Sequence, residues 1–462
     1  MRSTLVGVFD DRQAAEHARD ELLRAGFADD EVDLRTGVED RAWRESDDRR
    51  LAAAVQRLEL DHPVVNDADF AVWQLYAVRA WPTLMFVDPR GMVIGKHEGE
   101  ATAEMLAPVV EQMLAEFASA SLLSAAPVAH HAPPRPETTL AFPGKVVVSD
   151  DRLYIADTNH HRIVEARLEG AIERVFGDGV AGLLDGAAQR ECFQSPQGLT
   201  LVGDALIVAD TGNHTIRRID LVDGTVATLA GTGELAHGYS SGGPARETSL
   251  RSPWDVAVVG DVVYIAMAGT HQLWMYRMGE DEVRRAAGSG HEGLRDGSTA
   301  SAWLAQPSGI AVGQNGRTLV FTDSETSAVR VSDLPGAEGA QVRTLFGEGL
   351  FEFGDVDGDP QAARLQHPLG VAVDTTSGTV YVADTYNNKI KRIDPVRQVI
   401  ETWLGDGTAG HEDGVGREAR FFEPAGLSVA GGALYIADTN NHAIRRADLA
   451  TGAVETIEVR EG

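Results

Sequence analysis

Residues able to do chemistry are plentiful in this chain, and their spacing sorts them. Six side chains stand directly before a proline at a recurring interval: Phe142, Ser195, Ser252, Gln306, His367 and Glu423. Variety of this kind inside a regular frame is what an asymmetric ligand would need, and drift at a solvent-lined position explains it equally. His367 and Glu423 could act together, the carboxylate orienting the imidazole and raising its pKa toward neutrality. Replacing both is expected to leave folding intact, since neither reads as core. One histidine and one carboxylate fall short of a catalytic centre with three protein ligands, so no metal or other cofactor is assigned. Asp157, Asp210, Asp384 and Asp438 suit acid–base catalysis by type, but they recur in phase and read as turn residues. Asp355-Val356-Asp357-Gly358-Asp359 begins like a calcium loop, yet Gly358 and Pro360 break the spacing and the Asp-Gly pair recurs elsewhere. Cys192 has Glu191 beside it and no activating cation, so it reads as packing. The pairs Arg217-Arg218, Lys391-Arg392 and Arg445-Arg446 read as ladder partners for neighbouring acids rather than an RNA surface. No Gly-rich phosphate loop appears, and no catalytic residue is assigned.

These positions are held by a repeat. The segments LYIADTNHHRI (153–163), LIVADTGNHTI (206–216), VYIAMAGTHQL (263–273), LVFTDSETSAV (319–329), VYVADTYNNKI (380–390) and LYIADTNNHAI (434–444) share one pattern. Their Asp-equivalent positions are spaced by 53, 57, 56, 61 and 54 residues, a period that means a propeller or array. A proline precedes each by 14 or 16 residues. In five units a Gly and a large apolar residue lie at fixed offsets before that proline, as in Gly414–Phe421–Pro424. Each unit parses into four strands; in the last these are Gly426–Val429, Leu434–Ala437, Ala443–Ala447 and Val454–Val459. The first two are nearly continuous apolar runs, as expected of strands covered on both faces. Six such units predict an all-β, six-bladed propeller. Strands antiparallel within a blade bring the loops leading into each blade and the Asp-Thr-Asn turns to one face, with the six pre-proline residues ringing the channel mouth.

Pro-x-Gly opening a strand, then Tyr-Ile-Ala-Asp-Thr-x-Asn-His-x-Ile and Arg-Arg-Ile-Asp, resembles the NHL repeat over residues 140–460. The resemblance implies the propeller and is nearly silent on activity, because NHL propellers serve enzymes, receptors and scaffolds alike. The third unit departs most, with Met267, Ala268 and Gly269 in place of Asp-Thr-Asn.

Residues 1–120 alternate strand and helix: strands at 4–9, 31–34, 83–87 and 92–97, helices at 12–25, 47–58, 69–76 and 103–117. This predicts a small α/β domain. Trp81-Pro82-Thr83 entering an apolar strand, with Asp88-Pro89-Arg90-Gly91 as a turn, resembles the cis-proline hairpin of thioredoxin-like proteins, where the proline presents backbone to a bound peptide. With His62-Pro63-Val64-Val65-Asn66-Asp67 upstream and the propeller downstream, the chain resembles the thioredoxin-fused NHL-repeat-containing proteins. One departure decides the chemistry. Asp10-Asp11-Arg12-Gln13 stands where the redox family carries its thiol pair, and residues 1–191 contain no cysteine. Thiol–disulfide exchange by this domain is therefore excluded. A Pro/Ala-rich linker, 121–139, separates this domain from the propeller, 140–462; its His130 and His131 read as solvated.

Composition bounds the function. The 462 residues carry 70 acidic and 41 basic side chains, a formal charge of −29, which disfavours nucleic acid and anionic membranes. One cysteine excludes an intrachain disulfide. No signal peptide or membrane span is evident, so the expected compartment is the cytoplasm. The reading that follows is a non-catalytic scaffold for a protein or peptide partner. The alternative is an enzyme or small-ligand binder, lyase- or hydrolase-like and with or without a metal, that uses the propeller channel.

Overall fold

The computed structural model describes residues 41–60, 83–98, 103–123, 137–149, 151–186, 192–238 and 241–461, with single positions between 64 and 101. The chain divides into two compact units, Met1–Arg135 and Pro136–Gly462.

In the first unit, helix α1 spans Arg41–Arg57, strands β1 (Thr83–Val87) and β2 (Val93–Glu98) form an antiparallel hairpin, and helix α2 spans Ala103–Ser119. The hairpin reverses because the Asp88 carboxylate accepts from the backbone N–H groups of Arg90 and Met92 at 2.9 and 2.8 Å, while Gly91 takes φ +79°. Helix α1 starts before the expected Asp47, and α2 runs two residues past Phe117. Trp81, Pro82, the strands expected at 4–9 and 31–34, the helix at 12–25 and most of the linker, 124–136, lie outside the described residues.

The second unit is a six-bladed propeller. Blade 1 is Lys145–Ser149, Arg152–Asp157, Arg162–Arg167 and Ala171–Phe176; blade 2 is Leu199–Val202, Ala205–Asp210, Thr215–Asp220 and Val226–Ala230. Blade 3 is Pro253–Val259, Val262–Met267, Gln272–Arg277 and Val283–Ala287; blade 4 is Pro307–Val312, Thr318–Asp323, Ala328–Asp333 and Gln341–Phe346. Blade 5 is Gly370–Val373, Val380–Asp384, Lys389–Asp394 and Val399–Leu404; blade 6 is Leu427–Ala430, Ala433–Asp438, Ala443–Asp448 and Ala453–Ile457. We call the four strands a to d from the axis outward. Strand b is buried along its whole length in blade 2, whereas strand d there alternates buried and exposed positions, so the apolar runs sit where both sheet faces are covered.

The cores lie between blades rather than within them. Phe193, Leu250, Leu304, Leu365 and Phe421, each three residues before a proline, fill the wedge between their blade and the preceding one. Leu140 does the same between blades 6 and 1. All six are at most 2% exposed, and truncating such a leucine or phenylalanine to Ala costs about 2–5 kcal/mol. The ring is also closed at its rim. Arg460 and Glu461 add a short parallel strand to the outer edge of blade 1, at the place that Gly186 and Gly414 occupy on the outer strands of blades 2 and 6.

Candidate functional site

Strand b ends in an aspartate in every blade but the third, and each is fully buried. One oxygen accepts from the backbone N–H two residues before the proline: Ala141 at 2.6 Å, Gln194 at 2.8 Å, Ala305 at 2.7 Å, Gln366 at 2.7 Å and Phe422 at 2.8 Å. The other meets a cation on strand c, as in Arg217–Asp210 at 2.8 Å, Arg330–Asp323 at 2.8 Å and Arg445–Asp438 at 2.7 Å. Each arginine then reaches the Asp of an Asp-Gly pair in the lead-in loop: Asp185, Asp296 and Asp413 at 3.0, 3.0 and 2.7 Å. In blade 5, Lys391 bridges Asp384 and Asp357. Burial pushes the Asp210 and Asp384 carboxyls up to about 6 against these cations. The recurring aspartates are thus sequestered from any substrate. Asp355 and Asp357 are paired with Lys389 and Lys391, cations that compete with calcium for these carboxylates. The first arginine or lysine of each doublet lies inside: Arg217, Lys391 and Arg445 are 0% exposed. The second pairs along the ladder, as in Arg446–Glu455 and Arg392–Glu401. Blade 3 replaces the charged pair with apolar groups, Met267 and Trp274, both buried, a substitution that sheet interiors tolerate because the desolvation cost disappears with the charges.

The pre-proline ring has one backbone geometry. Phe142, Ser195, Ser252, Gln306, His367 and Glu423 all lie in the left-handed region, φ +48° to +57°. Their N–H groups donate to the side chain that follows the b–c turn of the preceding blade. The acceptors are Nδ1 of His442, His161, His214 and His271 at 3.1–3.2 Å, then Ser327 Oγ at 3.1 Å and Asn388 Oδ1 at 2.9 Å. The histidines of the repeat are therefore inter-blade acceptors. An accepting Nδ1 needs the neutral ring, and burial pushes the His442 imidazole down to about 4. A second bond runs beside the first: the turn hydroxyls of Thr158, Thr211, Ser324, Thr385 and Thr439 donate to the proline carbonyl of the next blade at 2.6–2.9 Å.

The ring's side chains diverge. Ser195, Ser252, Gln306 and His367 are half-buried. Phe142 is 2% exposed, edge-on to His442. Glu423 is 6% exposed, with Oε2 accepting from Asn440 at 2.9 Å, so the expectation that it is not core fails: the turn of its own blade folds over it. His367 stacks on Tyr386, centroids 4.6 Å apart, and faces Glu325 across 3.9 Å. Burial, reinforced by Glu292, pushes the Glu325 carboxyl up. Cys192 Sγ lies 3.6 Å from Asp178 Oδ1, a neighbour that disfavours a thiolate. Among the described residues no group of three or more His, Cys, Asp or Glu is placed to hold a metal ion.

The axis holds what the motif reading missed. The second residue after each proline is glycine in four blades, Gly198, Gly309, Gly370 and Gly426, but Lys145 in blade 1 and Asp255 in blade 3. Lys145 Nζ bonds both Asp255 oxygens, at 2.7 and 2.6 Å, and the side chains are only 9% and 6% exposed. Asp255 also accepts from the N–H groups of Val256 and Ile310 at 2.8 and 3.1 Å. Around the pair the inner strands approach too closely for side chains: a Cβ on Gly370 would lie 1.9 Å from the Ala425 carbonyl. About 10 Å³ of open space remains among these residues, no more than one water occupies. The signal was present in the sequence, as the two repeats that break Pro-x-Gly with opposite charges. A shallow groove of about 620 Å³ beside strand d of blade 1 contains none of the sequence-predicted site residues.

Six blades, each built on four antiparallel strands and four of them edged by a short fifth, with a b–c turn fastened to the next blade, define a propeller of the NHL type. The NHL repeat model matches residues 140–165, 193–219 and 365–393, and the chain is an NHL-repeat protein. It is homologous to NHL repeat-containing protein 2. The Bos taurus protein is 39% identical over 446 residues, covering 88% of this chain and 61% of that protein. The Homo sapiens protein is 37% identical over 442 residues with the same coverage. "Protein SUPPRESSOR OF QUENCHING 1, chloroplastic" of Arabidopsis thaliana is 40% identical over 426 residues, 88% of this chain and 40% of that protein. The chain thus spans about three fifths or less of the length of these relatives.

Proposed function

We propose that this chain is a non-catalytic scaffold that binds a protein or peptide on the propeller face formed by the b–c turns and lead-in loops. The observation that carries this reading is the closed axis: the Lys145–Asp255 pair fills the channel where a small ligand would sit. The buried, cation-bound aspartates support it too, since they offer a substrate no free carboxylate at the turns. NHL propellers commonly bind proteins, which favours the same answer. The half-buried ring residues Ser195, Ser252, Gln306 and His367 stand on this face and are candidate contacts. Residues 1–120 form a redox-inactive thioredoxin-like domain in this reading, joined by the 121–139 linker to the propeller, 140–462. The hairpin at 83–98 followed by a helix at 103–119 supports that assignment, and Trp81-Pro82 is its peptide-contact position. No helix among the described residues is long and apolar enough to cross a membrane, and the acidic charge fits a cytoplasmic protein without nucleic-acid partners.

Native mass spectrometry and elemental analysis of the full chain test the reading. Apoprotein mass is expected. A metal or metabolite retained at one equivalent, and lost on Lys145→Gly, would overturn it in favour of a channel site.

A further inference from the structure

The lead-in loops of blades 2, 4 and 6 run from Gly177 to Gly186, Gly288 to Gly297 and Gly405 to Gly414, nine positions each. In blade 5 the same stretch, Gly347 to Gly358, spans eleven, and in blade 3, Gly231 to Gly243, it spans twelve. A repeat frame has no structural need for the extra residues, and insertions in repeat proteins collect on the binding face. The blade 5 loop reads Leu350-Phe351-Glu352-Phe353, and it displays rather than buries its aromatics: Phe351 is 77% exposed, Phe353 57% and the nearby Val356 46%.

The loop is held firmly at its base. Asn387 Nδ2 donates to the Gly354 carbonyl at 2.7 Å, the Gly354 N–H donates to the Leu365 carbonyl at 2.9 Å, and Glu348 pairs with Arg364 at 2.6 Å. Asp355 is bound by Lys389 and Lys391. Two phenylalanines held out from a pinned base cost little conformational entropy on association, which is the condition for an interface anchor. Asn387 also links the loop to the turn carrying Tyr386, whose ring stacks on His367, so apolar and aromatic surface continues toward the ring. The surround is acidic. Glu352 lies between the two phenylalanines, and Glu292 acts on the Glu325 carboxyl that faces His367, in a chain of net charge −29.

We propose that the blade 5 lead-in loop is the propeller's anchor, and that its partner is a protein segment with an apolar core flanked by Lys or Arg. The assignment rests on the face-binding scaffold reading and names the place and the partner chemistry within it. Phe351 and Phe353 enter the partner's apolar surface, and Glu352 between them selects basic flanks. An anionic bilayer is disfavoured by the same charges.

The test uses a displayed library of random 16-residue peptides selected on the full-length protein. Enriched peptides should combine aromatic or aliphatic residues with Lys and Arg. Their affinity should fall at least about tenfold on Phe351→Ser/Phe353→Ser and several-fold on Glu352→Lys, with the unfolding midpoint unchanged. Failure to enrich any peptide, enrichment of acidic ones, or equal binding to the Phe351→Ser/Phe353→Ser protein would overturn the assignment. Peptides that ignore the loop variants but are lost on Tyr386→Ala would overturn the loop and leave the face reading standing. Co-sedimentation with phosphatidylcholine/phosphatidylserine vesicles that requires both phenylalanines would replace the protein partner with a membrane.

Discussion

Removing one partner of the axial ion pair should destabilise the propeller far more than removing both. Lys145 and Asp255 are nearly dry, with Nζ 2.6–2.7 Å from both carboxylate oxygens. Leaving one buried charge unpaired costs about 3–5 kcal/mol. Lys145→Gly should fall at the lower end, about 3 kcal/mol, because the N–H groups of Val256 and Ile310 still serve the carboxylate. Asp255→Gly strands an ammonium and should cost a similar amount. Lys145→Gly/Asp255→Gly places glycine at this position in all six blades, and its cost should be near the entropic cost of two strand glycines, about 1–2 kcal/mol. Equilibrium urea unfolding of the four proteins closes the cycle. The pH dependence adds a second reading. Burial already raises the Asp255 carboxyl above its ordinary value; without Lys145 it rises further, so its folded form gains stability as it protonates and loses it as pH climbs. The Lys145→Gly deficit should therefore be larger at pH 8 than at pH 5. Single variants within 1 kcal/mol of the parent, or a double variant costing the sum of the singles, would refute the buried pair as the closure of the channel.

Two further outcomes follow from the inter-blade bonds. His442 is held neutral with a folded pKa of about 4 against an ordinary 6.5, so the unfolded chain binds the extra proton between those values and stability falls as pH drops through that window. Asn388 performs the same role in blade 5; His442→Asn should match the parent within about 1 kcal/mol at pH 7 and exceed it by about 1–2 kcal/mol at pH 5, after allowance for the ring's partial solvent access. No such gain in paired urea titrations would rule out the neutral acceptor. Ala268 leaves the blade 3 to blade 4 junction without the hydroxyl found at the other five, so Ala268→Ser should stabilise by about 0.5–1 kcal/mol through a bond to the Pro307 carbonyl, and Thr439→Val should lose about as much; calorimetry reads both.

The sequence by itself determined everything that repeats. Proline-to-aspartate spacing, the apolar b strands and the Asp-Thr-Asn turns are local requirements of burial and backbone hydrogen bonding, and each blade states them again. The strand expected at Leu434–Ala437 accordingly spans Ala433–Asp438, and the hairpin strand Thr83–Val87 falls where its β-rich run and Asp88 turn place it. The large apolar residue three before each proline was legible as a constant, though not its role as the wedge between blades. Tertiary structure alone decided what happens once the ring closes. Phe142 and His442 stand 300 positions apart, and Lys145 and Asp255 stand 110 apart. Neither separation has a local pattern, because the partner is set by the angle between sheets rather than by neighbours in the chain. The same closure put Glu423 inside and left His367 against Tyr386 and Glu325. Residue type could name these side chains as chemically able, but which of them the solvent reaches depends on a turn folding back over one and not the other.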